Sequence, residues 1–172
     1  LQLDGVNDFV QVADSDSLDI TGSITMAFWL KRDNLDLTFQ SIINKGSDPK
    51  GSNQPSYGFK LSKFNLGAVQ SDYYVGNQKY IAKYNVVNSM NWIHLVVQVD
   101  YETNMARLYK DGVQIHQIAW NHGVIQASAK DLFIGARDNF NGPRDFFAGT
   151  LDDLRIYNKA LTATEISVLA HP

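Results

Sequence analysis

The sequence predicts an all-β fold, a two-sheet antiparallel sandwich of the jelly-roll type with a short C-terminal helix. About ten to thirteen short segments show strand-like hydrophobic patterns, separated by turn signals roughly every 8–12 residues, the spacing typical of sandwiches. The acidic residues are sixteen Asp and only two Glu. Because Asp, like Asn, Gly and Ser, favours turns, this composition indicates many short strands joined by polar loops.

Two strand regions carry the strongest patterns. Ser23–Lys31 is apolar on both of its alternating faces, which predicts a strand buried on both sides, and Trp92–Val99 is the most apolar run. Asp111-Gly112, a dipeptide preferred in type I′ turns, separates Met105–Lys110 from Val113–Ile118 and predicts a hairpin. The other predicted strands are Leu1–Leu3, Phe9–Val12, Ile42–Lys45, Tyr57–Leu61, Asn65–Val69, Leu132–Gly135 and Phe147–Tyr157.

The predicted helix begins at Thr162. Thr162 and Glu165 have the spacing of a capping box, in which each side chain binds the backbone N–H of the other residue. Ile166 and Leu169 follow at a spacing that places them on one face. The sequence therefore predicts a short amphipathic helix after the last strand.

Length and composition bound the possible functions. The 172 residues suit a single domain over residues 1–172, with 44% hydrophobic and 19% charged residues. A net charge of −3 argues against a nucleic-acid partner, and no apolar run approaches the roughly 20 residues that membrane insertion requires. There is no cysteine, which excludes disulfides and thiolate metal sites. Since the chain starts at Leu1, inside a predicted strand, we expect a domain excised from a larger protein.

Asp152 is the residue on which the site hypotheses depend. Strand residues alternate between faces, so Leu154 and Ile156 facing a core would place Asp152 on the same inward face. A buried carboxylate must be hydrogen-bonded or bound to a metal ion. Both alternatives remain open at this point: backbone N–H groups of a neighbouring loop, or calcium.

The ordered series of segments is similar to one known family. It resembles laminin G-like domains of the concanavalin A-like lectin/glucanase superfamily over nearly the whole chain. That resemblance implies a jelly roll with a concave and a convex face, frequent calcium binding, and a carbohydrate- or protein-binding module attached to a larger extracellular protein. The segments that carry it are LQLDGVNDFVQV, SITMAFWLK, IINKGS, NWIHLVVQVD, ARLYKDGVQI, LFIGA and FAGTLDDLRIYNKALTATEI.

Two calcium geometries are compatible with the resemblance. In the first, a structural calcium is bound by Asp8 and Asp152 where the first and last strands lie side by side, and the Asp4–Asp8 turn adds backbone carbonyls. Calcium takes about six to eight oxygen ligands. In the second, the Arg137-Asp138-Asn139 loop stands where the related pentraxins hold a ligand-facing calcium, although Arg137 adds a positive charge there.

A sugar-binding surface needs flat aromatic rings and planar polar side chains. Trp120, beside the polar run Asn121-His122-Gly123, is the aromatic residue that best fits a ligand-facing loop, whereas Trp29 and Trp92 lie in apolar strands and are expected in the core. The predicted ligand-binding residues are Tyr57, Tyr73, Tyr74, Trp120, Arg137, Asp138 and Asn139, with Tyr80, Phe140 and Arg144 as further candidates.

An enzyme is the competing class. Glucanases of the resembled superfamily use a pair of glutamates on one strand (E-x-D-x-E), whereas Glu102 and Glu165 are far apart in this chain. No G-x-S-x-G motif indicates a serine hydrolase. The residue types that lyases on this fold use are present, but without a recognisable cluster.

These observations lead to one functional expectation. The chain is expected to be a non-catalytic extracellular or cell-surface module that binds a glycan or polysaccharide, with a structural calcium, joined to other domains of a larger secreted or surface protein. The alternative is an adhesion module that binds a protein ligand through the same face. A glycan array compared with a pull-down of protein partners separates the two.

Overall fold

The computed structural model describes residues 1–34, 39–46, 56–62, 68–75, 78–85, 89–121, 123–139 and 141–171, with the backbone alone for 62, 68–75 and 78–85. Within these residues it contains twelve strands and one α-helix, α1, Ala163–Ala170. Most of the predicted loop 48–56 lies outside the described residues. The strands are β1 Gln2–Asp4, β2 Val10–Val12, β3 Ile24–Arg32, β4 Phe39–Lys45, β5 Tyr57–Ser62, β6 Ala68–Val75, β7 Gln78–Asn85, β8 Ile93–Asp100, β9 Met105–Lys110, β10 Val113–Ala119, β11 Leu132–Ile134 and β12 Ala148–Tyr157.

The strands form two six-stranded antiparallel sheets. Sheet A has the order β1-β12-β3-β8-β9-β10, and sheet B has the order β2-β11-β4-β5-β6-β7. The core lies between them, where Phe28 of sheet A meets Phe59 of sheet B at 5.2 Å between ring centroids. This architecture confirms the predicted all-β sandwich with a short C-terminal helix.

The outer face of sheet A carries a second, smaller apolar cluster. Ala27, Val96 and Tyr109 pack there against Leu161 and Ile166, so α1 covers the middle of the sheet. All eight residues of β8 are buried in consequence. Residues 24–28 of β3 are likewise all buried, which confirms over that stretch the prediction that this strand is covered on both faces.

Two local predictions are confirmed at atomic detail. Thr162 N donates to Glu165 Oε2 at 2.7 Å and Glu165 N donates to Thr162 Oγ1 at 3.2 Å, which is the capping box. Asp111 and Gly112 have φ of 49° and 78°, as a type I′ turn requires at both central positions. In the described part of the chain, no helix is long and apolar enough to cross a membrane.

β10 is one edge of sheet A. Its residues are mostly exposed, including Val113 at 65% and Ile115 at 43%. Its register with β9 shifts between Gln114 and His116, which marks a β-bulge.

The predicted inward orientation of Asp152 is wrong. The pairing of β12 with β3 shifts between Asp152 and Arg155, and Asp153 has φ of 48°. This extra residue breaks the alternation, so Leu151 is buried and Leu154 packs against the core while Asp152 is exposed. Asp152 Oδ1 accepts a hydrogen bond from the following backbone N–H at 2.9 Å.

The predicted calcium pair of Asp8 and Asp152 is also corrected, because the register separates the two residues. In the antiparallel pair of β1 and β12, Gln2 lies opposite Thr150 and Asp4 opposite Ala148. Asp152 therefore lies beyond the start of β1, and Asp8 lies beyond its end. The exposed Asp8 instead accepts a hydrogen bond from Asp4 N at 3.1 Å, inside its own turn.

His94 is a buried titratable group on β8. It is 2% exposed and its ring packs against Trp29 at 5.3 Å between centroids. Its Nδ1 has no hydrogen-bond partner among the described residues. Burial lowers the pKa of His94, and the smaller opposing effect of the Asp111 and Asp153 carboxylates does not cancel this.

This shift predicts a loss of stability at mildly acidic pH. Because the folded-state pKa of His94 lies below its ordinary value of 6.5, the unfolded chain takes up the proton first. The free energy of unfolding should fall as the pH drops below 6.5 and level off below the folded-state pKa. Urea denaturation from pH 7.5 to 5 measures this, and His94→Gln should remove part of the slope. The exposed His116→Gln is the control; an equal effect of both changes would contradict the assignment.

Candidate functional site

A short hairpin interrupts sheet B beside β4. After β11, Gly135 N donates to Ile42 O at 3.0 Å, and the chain returns where Ser41 N donates to Asp145 O at 2.7 Å. β4 has a bulge of its own beside this point, where its register with β5 shifts between Ser41 and Ile43. We call the described residues 137–139 and 141–145 the 137–145 hairpin.

The hairpin is closed by backbone hydrogen bonds. Arg137 N donates to Arg144 O at 2.9 Å, and Arg144 N donates to Arg137 O at 3.0 Å. At the tip, Gly142 N donates to Asn139 O at 2.9 Å. Backbone pairing of this kind holds the polar side chains on a defined frame, as a binding loop requires.

Asn44 fixes where the hairpin lies. Its neighbours Ile43 and Lys45 occupy core-facing positions, so Asn44, which pairs with Gly58, lies on the outer face of sheet B. Asn44 Oδ1 accepts a hydrogen bond from Asp138 N at 3.1 Å. The hairpin therefore stands over the outer face of sheet B.

One carboxylate orients two arginines in this hairpin. Asp145 Oδ2 lies 3.0 Å from Arg137 Nε, and Asp145 Oδ1 lies 3.5 Å from Arg144 Nε. The Arg137 and Asp145 side chains are 12% and 11% exposed, whereas the Arg144 side chain is 57% exposed. The mostly buried pair thus acts as a support, and Arg144 is presented to solvent.

The hairpin offers the chemistry of an anion- and hydroxyl-binding surface. A guanidinium group is a planar fork of N–H donors that matches a carboxylate with two parallel hydrogen bonds. Asp138 and Asn139 are half-buried on the same hairpin, and their side chains can accept or donate hydrogen bonds to hydroxyl groups. The arrangement is suited to a polar ligand that carries a carboxylate.

The hairpin does not fit the second predicted calcium geometry. Both oxygens of the Asp145 carboxylate face guanidinium groups, which repel a cation. In the described ranges, no three His, Asp or Glu side chains converge as a metal site. Calcium binding by this protein stays a prediction.

Tyr57 is placed in the core, which corrects its prediction as a ligand-binding residue. It is 0% exposed on β5, and its hydroxyl donates to Leu18 O at 3.1 Å. Burial, reinforced by the Asp19 carboxylate, raises the pKa of Tyr57. It lies on the core-facing side of β5. Its ring is therefore not available to a ligand.

Trp120 is also a core residue, and its prediction as a stacking platform is wrong. It is 2% exposed and meets Tyr101 edge to face, with ring centroids 6.4 Å apart. Trp120 N donates to Asn104 O at 2.7 Å, which draws the residue inward at the end of β10. Trp92, expected in the core, is 44% exposed.

Of the other predicted residues, Arg137, Asp138 and Asn139 are brought together on the hairpin. Tyr73, Tyr74 and the further candidate Tyr80 lie on β6 and β7, and their side chains lie outside the described part of the structure. Phe140 is also outside the described residues.

Sequence reasoning missed Asn44 and Asp145. Asn44 directly follows the apolar pair Ile42-Ile43 in β4, and an amide at that place is a usable signal for a polar contact on the outer face. Asp145 has φ of 57°. The run Gly142-Pro143-Arg144-Asp145 indicates a turn, but nothing in it shows that this carboxylate pairs with Arg137.

Solved structures with similar folds include a sialyllactose-bound CBM40 and longer chains that this chain matches only in part. The CBM40 of the Ruminococcus gnavus IT-sialidase, bound to α2,3 sialyllactose, superposes with a TM-score of 0.77 at 15% identity, over 99% of this chain and 97% of that chain. The NanB sialidase from Streptococcus pneumoniae gives 0.73 at 14% identity, over 97% of this chain and 26% of that chain. The binding domain of botulinum neurotoxin serotype G gives 0.71 at 15% identity, over 98% and 41%.

At these identities the likeness establishes the fold. No curated protein matches the sequence significantly. A laminin G family model, described as concanavalin A-like lectin/glucanases superfamily, matches residues 4–167. This match covers almost the whole chain and confirms the resemblance found in its ordered segments. The chain belongs to the concanavalin A-like lectin/glucanases superfamily.

Proposed function

We propose that this chain is a non-catalytic carbohydrate-binding module that recognises acidic glycans through the 137–145 hairpin. The observation that carries the proposal is Arg144, whose side chain is 57% exposed beside the Asp145 carboxylate. A carboxylate of an acidic sugar would dock on its guanidinium group, and the half-buried Asp138 and Asn139 would take neighbouring hydroxyls.

The solved structures support the ligand class. The superposed Ruminococcus gnavus CBM40 is bound to α2,3 sialyllactose, a glycan that carries a carboxylate. A related fold, the binding domain of botulinum neurotoxin DC, is in complex with SialylT.

The two glutamates support a non-catalytic role. Glu165 is engaged by Lys159 Nζ at 2.8 Å and by the backbone N–H of Thr162. These hydrogen bonds, the one from Lys159 first, lower the pKa of Glu165 to about 2, which leaves it ionised and unable to serve as a general acid near neutral pH. Glu102 lies in the exposed turn after β8 and lines the same surface cleft as Thr162. With Glu165 held ionised, the two glutamates do not supply the protonated acid that a glycosidase pair requires.

The module is proposed to act outside the cell as part of a larger secreted or surface protein. The chain spans only 26% of the NanB sialidase and 41% of the neurotoxin binding domain that it matches. The enzymatic or adhesive activity of such a parent protein would reside in its other domains. Binding to a protein ligand in place of a glycan is the competing function, and it predicts that neither sugar binds in the test below.

Calorimetric titration with sialyllactose and with lactose tests the proposal, because lactose lacks the carboxylate. Sialyllactose should bind and lactose should bind much more weakly. Arg144→Ala should lower the affinity for sialyllactose by about tenfold or more, since a hydrogen bond to a charged group contributes roughly 1.5–3 kcal/mol. Arg144→Lys keeps the charge but loses the fork, so an intermediate affinity is expected.

Arg155→Ala is the matched control for this experiment. Its side chain is 46% exposed and also lies beside an aspartate, Asp153, but on sheet A. The control should bind sialyllactose like the wild type, and all variants should keep the wild-type melting temperature. Equal affinity for lactose and sialyllactose, or equal losses in both arginine variants, would contradict the proposed site.

A further inference from the structure

Lys45 is the most deeply buried charged residue among those that the structure describes. It ends β4 at a core-facing position, opposite Tyr57 and Leu132, and its side chain is 0% exposed. A bare ammonium group in such a place is prohibitively costly, so its partners must replace the water that it has lost.

The partners form a complete shell around the ammonium group. Lys45 Nζ donates to the Asp14 carboxylate, to Ser128 O at 2.8 Å and to Lys130 O at 2.5 Å. An ammonium group has three N–H donors, and all three are used. Asp19 Oδ1 lies at 3.8 Å as a second, more distant carboxylate. We call these four oxygen atoms, from Asp14, Asp19, Ser128 and Lys130, the Lys45 cage.

The cage is held in place by contacts that do not involve Lys45. Asp19 Oδ1 accepts a hydrogen bond from Ser128 N at 3.1 Å. Asp131 Oδ1 accepts one from Asp14 N at 3.0 Å, and Asp131 Oδ2 accepts one from Gln11 Nε2 at 2.5 Å. The oxygens of two loops, 13–19 and 124–131, are thus pre-arranged around one cationic centre.

The oxygen atoms of the Lys45 cage are of the type that a hard metal ion prefers as ligands. Two aspartate carboxylates and two backbone carbonyls are the ligands that calcium prefers, with water completing its shell of about six to eight oxygens. The Asp14 and Asp19 side chains are 32% and 28% exposed, so the cage is open to solvent on its carboxylate side, which gives an ion and its waters a way in.

We propose that the Lys45 cage is a calcium-type cation site whose resident cation is the tethered Lys45 ammonium. At this junction the chain supplies the positive charge itself, from the Lys45 ammonium group that bridges the two loops. Shortening the side chain should therefore convert the cage into a site that takes Ca²⁺ from solution.

Thermal unfolding of the wild type and Lys45→Ala, each in chelator and in calcium chloride, tests this. In chelator, Lys45→Ala should melt roughly 10 °C lower than the wild type, because the carbonyls of Ser128 and Lys130 and the half-buried Asp14 carboxylate lose their hydrogen-bond donor and a cavity remains. Calcium should raise the melting temperature of Lys45→Ala by several degrees more than that of the wild type, as a ligand that binds only the folded state does.

Two further variants keep the test specific. Lys45→Met fills the cage with an apolar chain and should gain no more from calcium than the wild type does. Adding Asp14→Asn to Lys45→Ala removes one anionic ligand and should abolish most of the gain. If Lys45→Ala is unfolded in chelator, refolding in calcium should restore a cooperative transition. The same calcium shift in all variants, or failure of Lys45→Ala to respond, would overturn the proposal. No glycan enters any of these measurements, so their outcome is independent of the proposed function.

Discussion

Replacing Trp120 by Ala is expected to lower the free energy of unfolding by about 3–5 kcal/mol, the usual cost of truncating a large buried aromatic side chain. The indole is 2% exposed and packs edge to face on Tyr101. Its removal would leave a cavity at the end of β10, where a rigid core cannot close around it. Urea denaturation followed by circular dichroism measures the loss.

Trp92→Ala is the control for this prediction. Trp92 is 44% exposed, so its truncation should cost far less, roughly 1 kcal/mol or below. Binding of sialyllactose should survive in both variants at temperatures where they stay folded. A Trp120→Ala variant that is as stable as the wild type but no longer binds glycan would restore Trp120 as a ligand-facing residue.

Replacing Gly149 by Ala is expected to destabilise the domain by roughly 3 kcal/mol or more, through overpacking together with backbone strain. Gly149 has φ of 153°, a conformation that residues with a side chain rarely adopt. A Cβ there would lie 2.2 Å from Lys31 O and 2.8 Å from Phe147 Cζ. Because Lys31 belongs to the neighbouring strand β3, relief of the clash would part β12 from β3.

Gly22→Ala is the matched control, since a Cβ at Gly22 meets nothing within 4 Å. Its stability should equal that of the wild type or exceed it slightly, because Ala reduces the freedom of the unfolded chain. Chemical denaturation of both variants under the same conditions compares them directly. Equal stability of Gly149→Ala and Gly22→Ala would mean that β12 can shift without loss of core packing.

The features that the sequence predicted correctly are mostly local. The type I′ turn at Asp111-Gly112 and the capping box at Thr162 each depend on residues within a few positions of one another. The strands follow from their hydrophobic patterns in the same way. The β12 bulge does not: it sets Leu151 and Leu154 on the core side together and turns Asp152 outward. A prediction that assumes strict alternation along β12 therefore places Asp152 on the wrong face of the strand.

The same distinction between local and long-range contacts applies to the candidate site. Arg137, Asp138 and Asn139 are neighbours in a loop-forming run, so their clustering could be predicted. Which aromatic residues are buried depends on contacts with other elements of the fold. Trp120 N donates a hydrogen bond to Asn104 O, and the Tyr57 hydroxyl donates one to the carbonyl of Leu18. A polar flanking sequence alone does not place a tryptophan at the surface.

The bulge in β10 bears on how the domain behaves at high concentration. An edge strand that exposes Val113 and Ile115 is a template on which a second copy could add a strand and begin to aggregate. The register shift between Gln114 and His116 interrupts the even spacing of N–H and C=O groups and increases the local twist. A straight incoming strand therefore cannot pair along the full edge, so this side of sheet A is protected against polymerisation while it keeps its apolar side chains.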